Sequence, residues 1–330
     1  MTKYDGSDGF KLQPRDEAIL RGLLDSRLMT IKHAASLHFE GSYEAAKKRL
    51  QKLEGAGLIA KRARKVQDPA IYSMTRRGFL SLKDEGMLDP LLELGWAKLQ
   101  DRLRVAEMTL KHELAVMDVK AALSPALAKV DGAELVELSV NPERHAFRVT
   151  EAISDAKKLV GFRSLLSKPD GFVHVKERAC DGELVNQYFF LEVDRGTESL
   201  RRLVKKARHY SQYYRNGGFA ARHGCERRRF KLCPFRALMI FPSAERRNNV
   251  AEKLLAMKSP VRTMIWLTTM KEILLNPLGA NWVRPADYLA AVRGTDFDPM
   301  SKKAKGPYRR TVERETWIEA HEIKQQLLST

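Results

Sequence analysis

Apolar residues recur at helical spacing near the start of the chain. One stripe follows Pro14 and comprises Ile19, Leu20, Leu23 and Leu24. Apolar positions three or four residues apart mark the buried side of a helix. Thr30 and Ser42 stand where a side chain can cap a helix N-terminus. The pattern therefore predicts three short helices before residue 57.

A different period follows these helices. Residues 58–66 and 71–74 alternate between apolar and polar side chains, a turn is expected at 68–70, and another helix should begin near Arg76. Three helices followed by a β-hairpin are the order of a winged helix-turn-helix domain. The sequence predicts such a domain over residues 1–90.

The pattern over residues 91–298 changes repeatedly between helix and strand. An apolar stripe from Leu103 to Ala121 predicts one long helix that ends near Pro125. Strands are predicted at 134–140, 171–175, 188–194, 237–241 and 263–267, and helices at 197–215 and 244–257. The order of helix, three strands, helix and strand is that of the restriction-endonuclease-like (PD-(D/E)xK-type) domain, so the expected fold class is mixed α/β. Residues 141–168 fit no regular element, and 299–330 read as a basic linker followed by a C-terminal helix.

Three carboxylates fall at matching positions in two of these strands. Pro169-Asp170 opens one strand, and Glu192 and Asp194 lie at the end of the next. Side chains two residues apart share a face of a strand, and a neighbouring strand can bring Asp170 beside them. Because hard cations take oxygen ligands, the arrangement predicts a Mg²⁺ or Mn²⁺ site that acts on a phosphodiester. The alternative is that the acids only end strands and cap the next helix.

A lysine is expected beside these acids, because nucleases of this architecture carry one two residues after the second acid. Here that position is Asp194. Lys206 lies at the edge of the packed stripe on the following helix and is the best substitute for stabilising transition-state charge. The competing interpretation is a side chain that lies along the sheet with its ammonium in water. The expected catalytic residues are Asp170, Glu192, Asp194 and Lys206, and the expected metal ligands are Asp170, Glu192, Asp194 and, from the preceding helix, Glu113.

The formal net charge of +18 is concentrated in three segments of the 330-residue chain. Residues 47–65 hold eight Lys or Arg and one acid, residues 201–231 hold eleven and one, and residues 301–314 hold six and one. Clustered positive charge indicates nucleic-acid binding, and an anionic membrane surface is the weaker alternative. With no signal peptide and no apolar stretch long enough to cross a bilayer, a cytoplasmic protein is expected.

A winged helix presents its third helix and its hairpin to duplex DNA. Because Ala46, Leu50 and Leu53 must face the core, other side chains of that helix point outward. The expected DNA-contacting residues are Tyr43, Lys47, Lys48 and Gln51 on the third helix, Lys61, Arg62, Arg64 and Lys65 on the hairpin, and Arg201, Arg202 and Arg208 on the helix after Gly196. A winged helix can also bind a protein, and the sequence leaves that open.

Four segments resemble the replication-relaxation family of plasmid and mobile-element proteins. They are PRDEAILRGLL from Pro14, KHELAVMDVKAAL from Lys111, FFLEVDRGTESLRRLVKKARHY from Phe189 and TTMKEILLNPLGANWVRP from Thr268. The resemblance implies a role on mobile-element DNA in replication, relaxation or transfer, and it carries over Asp170, Glu192 and Asp194 as the site. The Glu-x-Asp form also looks characteristic of the family, which is compatible with an inactive nuclease-like scaffold.

Two classes of function follow. The first is a metal-dependent endonuclease that nicks DNA. The second is a non-catalytic DNA-binding regulator or accessory factor that recruits a separate relaxase or replication initiator. The C-terminal tail is interpreted either as an arm that tracks DNA or as a handle for a partner protein.

Overall fold

The computed structural model describes residues 11–63, 67–84, 86, 95–155, 158–179, 182–296 and 307–328. Within it the chain forms two compact units, Met1–Ala121 and Ala122–Thr330. Both helices and sheets are present, so the mixed α/β class predicted from the sequence is confirmed. None of the helices in these described ranges is long and apolar enough to cross a membrane.

The first unit begins with three helices and a small sheet. Its elements are α1 (Pro14–Ser26), β1 (Met29–Thr30), α2 (Ile31–His38), α3 (Tyr43–Gly55), β2 (Ile59–Lys61), β3 (Ile71–Met74), α4 (Arg76–Asp84) and α5 (Trp96–Leu103). Strand β3 lies between β1 and β2 and pairs antiparallel with both. The element order predicted for residues 14–84 is therefore present, with β1 as an additional short strand.

Local chemistry explains where these elements begin. Thr30 caps α2, because its hydroxyl accepts a hydrogen bond from His33 N at 3.2 Å. The start of α4 packs tightly against the segment between α3 and β2, since a Cβ on Gly78 would lie 2.2 Å from the carbonyl oxygen of Leu58. Only glycine fits at that approach.

The single long helix predicted to end near Pro125 is two helices. Helix α5 ends at Leu103, and α6 (Glu107–Leu127) begins after three intervening residues. Pro125 lies inside α6 rather than at its end. Proline has no N–H for the carbonyl of Ala121, and the hydroxyl of Ser36 donates to that oxygen at 2.6 Å instead. A tertiary contact therefore satisfies the group that the sequence pattern left unbonded.

The second unit is built on a five-stranded sheet. The strands of the whole unit are β4 (Ala133–Ser139), β5 (Phe147–Asp155), β6 (Lys158–Ser167), β7 (Gly171–Arg178), β8 (Leu184–Val193), β9 (Arg236–Phe241) and β10 (Ile265–Thr269). The sheet order is β10-β9-β8-β7-β4. The pairs β4–β7 and β7–β8 are antiparallel, and the pairs β8–β9 and β9–β10 are parallel. Strands β5 and β6 form a separate antiparallel hairpin. Residues 141–168, for which no element was predicted, consist mainly of this hairpin.

The helices of this unit are α7 (Leu200–Arg215), α8 (Gly218–Arg222), α9 (Ala244–Leu255), α10 (Val261–Met264), α11 (Met270–Leu275), α12 (Pro285–Asp296) and α13 (Pro307–Ala320), with a 3₁₀ helix at Arg227–Leu232. One core joins the sheet to α7, α9, α12 and α13, through residues such as Phe190, Tyr210, Met239, Tyr288 and Ile318. Helix α13 is therefore part of this core. The basic linker predicted at 299–306 lies outside the described residues.

Candidate functional site

Asp170 and Glu192 lie side by side on neighbouring strands. The register pairs Gly171 of β7 with Leu191 of β8, and Asp170 precedes this pair. The Asp170 amide donates to the carbonyl of Leu191 at 3.0 Å, and Val193 N donates to Asp170 Oδ2 at 2.7 Å. The sheet thus brings together two acids that are 22 positions apart in the sequence.

Glu192 is bound by two side chains of α7. Lys206 Nζ donates to Glu192 Oε2 at 2.8 Å, and the Tyr210 hydroxyl donates to Glu192 Oε1 at 2.5 Å. Both donors lie on one face of the helix, because they are four residues apart. The structure therefore places Lys206 beside Glu192, where the sequence predicted it. The adjacent Lys205 contacts Glu151 on β5 instead.

Burial dominates the electrostatics of this group. Glu192 is only 2% exposed, and burial, with a smaller contribution from the nearby Asp170 carboxylate, raises its pKa to about 7. Burial acts in the opposite direction on Lys206, but the carboxylates of Glu192, Asp170 and Glu198 together outweigh it and raise the lysine pKa. Burial also raises the pKa of Tyr210. Tyr210 and Lys206 therefore remain protonated donors at neutral pH.

Asp194 has a different partner from Glu192. Strand β8 ends at Val193, and the Asp194 carboxylate is bound by the Arg246 guanidinium near the start of α9, with Nη2 to Oδ1 at 3.1 Å. The same guanidinium donates to the carbonyl of Glu198. Between these two contacts Gly196 adopts a φ of +85°, which glycine adopts without strain. Arg246 therefore holds both ends of the loop 194–198.

Glu113 belongs to the first unit, where its carboxylate forms an ion pair with Arg27. Three of the four acids expected to bind metal are paired with a protein cation: Glu113 with Arg27, Asp194 with Arg246, and Glu192 with Lys206. The fourth, Asp170, accepts a hydrogen bond from Val193 N. In the described ranges of the chain, no group of three or more His, Cys, Asp or Glu side chains is arranged to hold a metal ion. The arrangement does not fit a resident Mg²⁺ or Mn²⁺, because protein cations already pair with three of these carboxylates.

The outward face of α3 is polar and cationic. Ala46, Leu50 and Leu53 are buried, while Tyr43, Lys48 and Gln51 are exposed and the Lys47 side chain is 43% exposed. Arg49, on the same helix, is not part of this face. It forms two hydrogen bonds with the fully buried Asp16, one of them from Nε to Oδ1 at 2.6 Å.

The hairpin cations of the first unit are partly engaged. Lys61 Nζ lies 2.6 Å from Glu54 Oε2, and Arg62 Nη2 lies 3.6 Å from Glu107 Oε2. Arg64 and Lys65 lie outside the described residues. In the second unit, Arg201, Arg202 and Arg208 are all exposed on α7. Among the described residues expected to contact DNA, Lys48 on α3 and Arg201, Arg202 and Arg208 on α7 are exposed cations, whereas Lys47 and Lys61 lie near acids.

Three residues that contact the predicted site were absent from the sequence prediction. Tyr210 is one of them, although its position four residues after Lys206 places it on the same face of α7. Glu198 lies 3.0 Å from Lys206 Nζ, and Arg246 binds Asp194. Neither has a spacing in the sequence that points to these contacts, because both depend on how the loop and α9 meet in space.

Residues 20–228 match the replication-relaxation family. The chain belongs to this family. No curated protein and no solved structure matches the chain. The matched span of this replication-relaxation protein includes α2, α3 and the hairpin of the first unit, and Asp170, Glu192 and Lys206 of the second. Membership connects the protein with replication or relaxation of mobile elements.

Proposed function

We propose that this protein binds double-stranded DNA of a plasmid or another mobile element and serves as a non-catalytic accessory factor in its replication, relaxation or transfer. The observation that carries the proposal is the exposed cationic face of α3 beside a β-hairpin. Lys48 and Gln51 are exposed on a helix whose Ala46, Leu50 and Leu53 are fully buried. Exposed lysines grip phosphates, and a polar side chain such as Gln51 can read a base edge.

The element order of the first unit supports a winged helix. In such domains the third helix enters the major groove and the hairpin contacts the backbone or the minor groove. Helix α3 would then be the recognition helix, and β2 and β3 form the hairpin. Lys61 and Arg62 would supply positive charge on the hairpin. In the second unit, the exposed arginines of α7 are separate candidates for contacts with phosphates.

The second unit supports a nuclease-like scaffold used without its chemistry. With the β5–β6 hairpin set aside, α6, β4, β7, β8, α7 and β9 follow the succession predicted for a PD-(D/E)xK-type domain, and Asp170 lies beside Glu192. Metal-dependent nicking would need these carboxylates to face a cation and a phosphodiester. Because Lys206 and Arg246 are bound to Glu192 and Asp194, recruitment of a separate relaxase or replication initiator suits the geometry better.

DNA binding is tested by substituting Lys47 and Lys48 together with alanine. Two lost phosphate contacts should weaken binding to duplex DNA and lower the dependence of log K on log salt by about 2. Fluorescence anisotropy with a labelled duplex from the element's origin, at several salt concentrations, measures both quantities.

The matched control replaces Lys83 and Lys98, which are exposed on α4 and α5, and removes the same charge from other helices. For this control, the slope of log K against log salt should differ from that of the wild type by less than about 1, the value for one phosphate contact. Equal losses in both double variants would indicate a general charge effect and contradict the role given to α3.

Nicking is tested by incubating supercoiled plasmid that carries the origin with stoichiometric protein and Mg²⁺ or Mn²⁺. We expect unchanged topology, because the acids are held by protein cations. Nicked circles that disappear with Asp170→Asn would establish the endonuclease and refute the accessory role.

A further inference from the structure

A small cavity lies at one end of the five-stranded sheet of the second unit. Its volume is about 190 Å³. The side chains that line it include Gln187, Tyr214, Phe235, Arg236, Pro260 and Met264. Thr263 is also part of the lining and is exposed, so the cavity opens to solvent. Arg236 pairs with Phe189 where the pairing of β8 and β9 starts. Glu192 pairs with Met239 farther along the same two strands, so the cavity is separate from the carboxylate group.

Arg236 is the one cation in the described lining of this cavity. Its Nη1 donates to Gln187 Oε1 at 2.7 Å, and Gln187 Nε2 in turn donates to Glu177 Oε2 at 3.2 Å. The guanidinium also lies against two aromatic rings, 5.6 Å from the centroid of Phe189 and 4.8 Å from that of Trp266. Among the residues that the structure describes, its Nε and Nη2 have no hydrogen-bond partner, and no carboxylate forms an ion pair with it. The guanidinium is therefore held in place with two donors unused.

The charge of Arg236 is only partly compensated within the chain. Burial lowers the pKa of Arg236, and the Glu177 carboxylate acts in the opposite direction. An arginine nevertheless stays charged at neutral pH. Because a charge withdrawn from water without an ionic partner is costly, an anion that enters the cavity would be stabilised there. Burial raises the pKa of Tyr214, so its hydroxyl remains protonated and can act as a further, neutral donor.

We propose that this cavity is a site for a small monocarboxylate, with the carboxylate bound to Arg236 and an apolar body against Phe235 and Met264. The donors of a guanidinium form a fork that matches the two oxygens of a carboxylate. A single cation balances one negative charge, which favours a carboxylate over the nearly doubly charged phosphate monoester.

The size of the cavity limits the body of this ligand. An apolar cavity of about 150 Å³ holds one benzene molecule. The volume of about 190 Å³ at Arg236 therefore leaves room for a single ring, or a branched chain of similar size, together with its carboxylate. This site goes beyond the proposed DNA binding and does not depend on it.

The test is a titration of the full chain with benzoate at pH 7.5, followed by saturation-transfer-difference NMR. We expect a dissociation constant of roughly 1 mM, which is reasonable for so small a ligand. Benzamide has the same ring without the charge, and it should bind at least about tenfold more weakly, because hydrogen bonds between charged groups are the stronger ones.

Two variants place the binding at Arg236. Arg236→Met keeps the apolar stem and removes the charge, and Gln187→Glu puts an internal carboxylate beside the guanidinium. Each should weaken benzoate binding at least about tenfold. The matched control is Lys231→Met, which removes one charge from an exposed position outside the lining and should bind benzoate as the wild type does.

Three results would overturn the inference. The first is equal affinity of the wild type for benzoate and benzamide. The second is benzoate binding that Arg236→Met leaves unchanged or that Lys231→Met weakens as much, since the attraction would then be general. The third is Arg236-dependent binding of inorganic phosphate without binding of benzoate. If circular dichroism shows that Arg236→Met does not fold, Gln187→Glu decides, and unchanged benzoate binding by that variant refutes the proposal.

Discussion

At the scale of single residues, the protein neutralises its buried acids with internal cations. Asp16 is bound by Arg49, Asp194 by Arg246 and Glu192 by Lys206. Removing one partner from such a pair leaves a charge uncompensated in the interior, which typically costs about 3–5 kcal/mol. These three cations therefore stabilise the fold by pairing with buried acids, whereas Lys48 on the outer face of α3 is exposed.

Glu192 gives this scale a test in the pH dependence of stability. Its pKa is raised from 4.5 to about 7 in the folded chain, so the native state holds the proton more tightly than the unfolded state. The stability that this provides is complete below about pH 4.5 and is lost as pH rises through about 7. Between pH 4.5 and 8, the wild type should lose about 3 kcal/mol relative to Glu192→Gln. Urea unfolding of both proteins across this range measures the difference.

The control for this prediction is Glu151→Gln. Hydrogen bonds from Arg163 and Lys205 lower the pKa of that exposed carboxyl, so it titrates below the window from pH 5 to 8. The difference between wild type and Glu151→Gln should be flat there. A flat difference for Glu192→Gln as well would show that the carboxyl is already ionised throughout the window.

At the scale of elements, α13 shows how the tail joins the second unit. Arg247 of α9 is completely buried, and its guanidinium binds Glu315 of α13, while Glu272 of α11 lies 3.5 Å away. Asn248 also donates to Glu315 Oε1 at 3.0 Å. After α13 the backbone of Gln325 exchanges hydrogen bonds with Trp282. These contacts make the C-terminal helix a structural part of the unit.

We expect Glu315→Ala to destabilise the second unit by about 2–3 kcal/mol. Arg247 would lose its main carboxylate, and the cost stays below that of a fully isolated charge because Glu272 remains nearby. Denaturant unfolding measures the change. The matched substitution Glu319→Ala, on the exposed side of the same helix, should stay within about 0.5 kcal/mol of wild type. Equal losses of stability from the two substitutions would show that the Arg247–Glu315 ion pair does not attach α13 to the unit.

Element boundaries followed local chemistry where the signal was local. Helices α1, α2 and α3 begin within a residue of their predicted starts. Pro14 begins α1 and the Thr30 side chain caps α2, both of them local signals, whereas the Ser42 side chain makes no capping hydrogen bond to α3. The position of Pro125 inside α6 was not predicted, because the Ser36 hydroxyl that donates to the Ala121 carbonyl is 85 positions away in the sequence. The break between α5 and α6 was also not predicted. The β5–β6 hairpin was missed because its exposed face mixes apolar and polar side chains, for example Phe162 and Ser164.

At the scale of the whole molecule, the sequence by itself determined most of the succession of helices and strands, the mixed α/β class, the family and the clustering of positive charge. Each of these depends on residues that are close together in the sequence: a period of apolar residues, a motif, or a run of lysines and arginines. The adjacency of Asp170 and Glu192 could also be predicted from the sequence. Asp170 precedes the start of one strand, Glu192 lies near the end of the next, and antiparallel pairing places a strand's start beside its neighbour's end.

Only the tertiary structure decided which charges are available for function. Lys206 was identified beside Glu192, but Tyr210, Glu198 and Arg246 joined the site through contacts that no spacing in the sequence specifies. The interaction of two charges depends on their distance and burial, and both are set by the packing of α7, α9 and the loop between β8 and α7. A sequence supplies the acids and the cations, and the fold determines which of them neutralise one another.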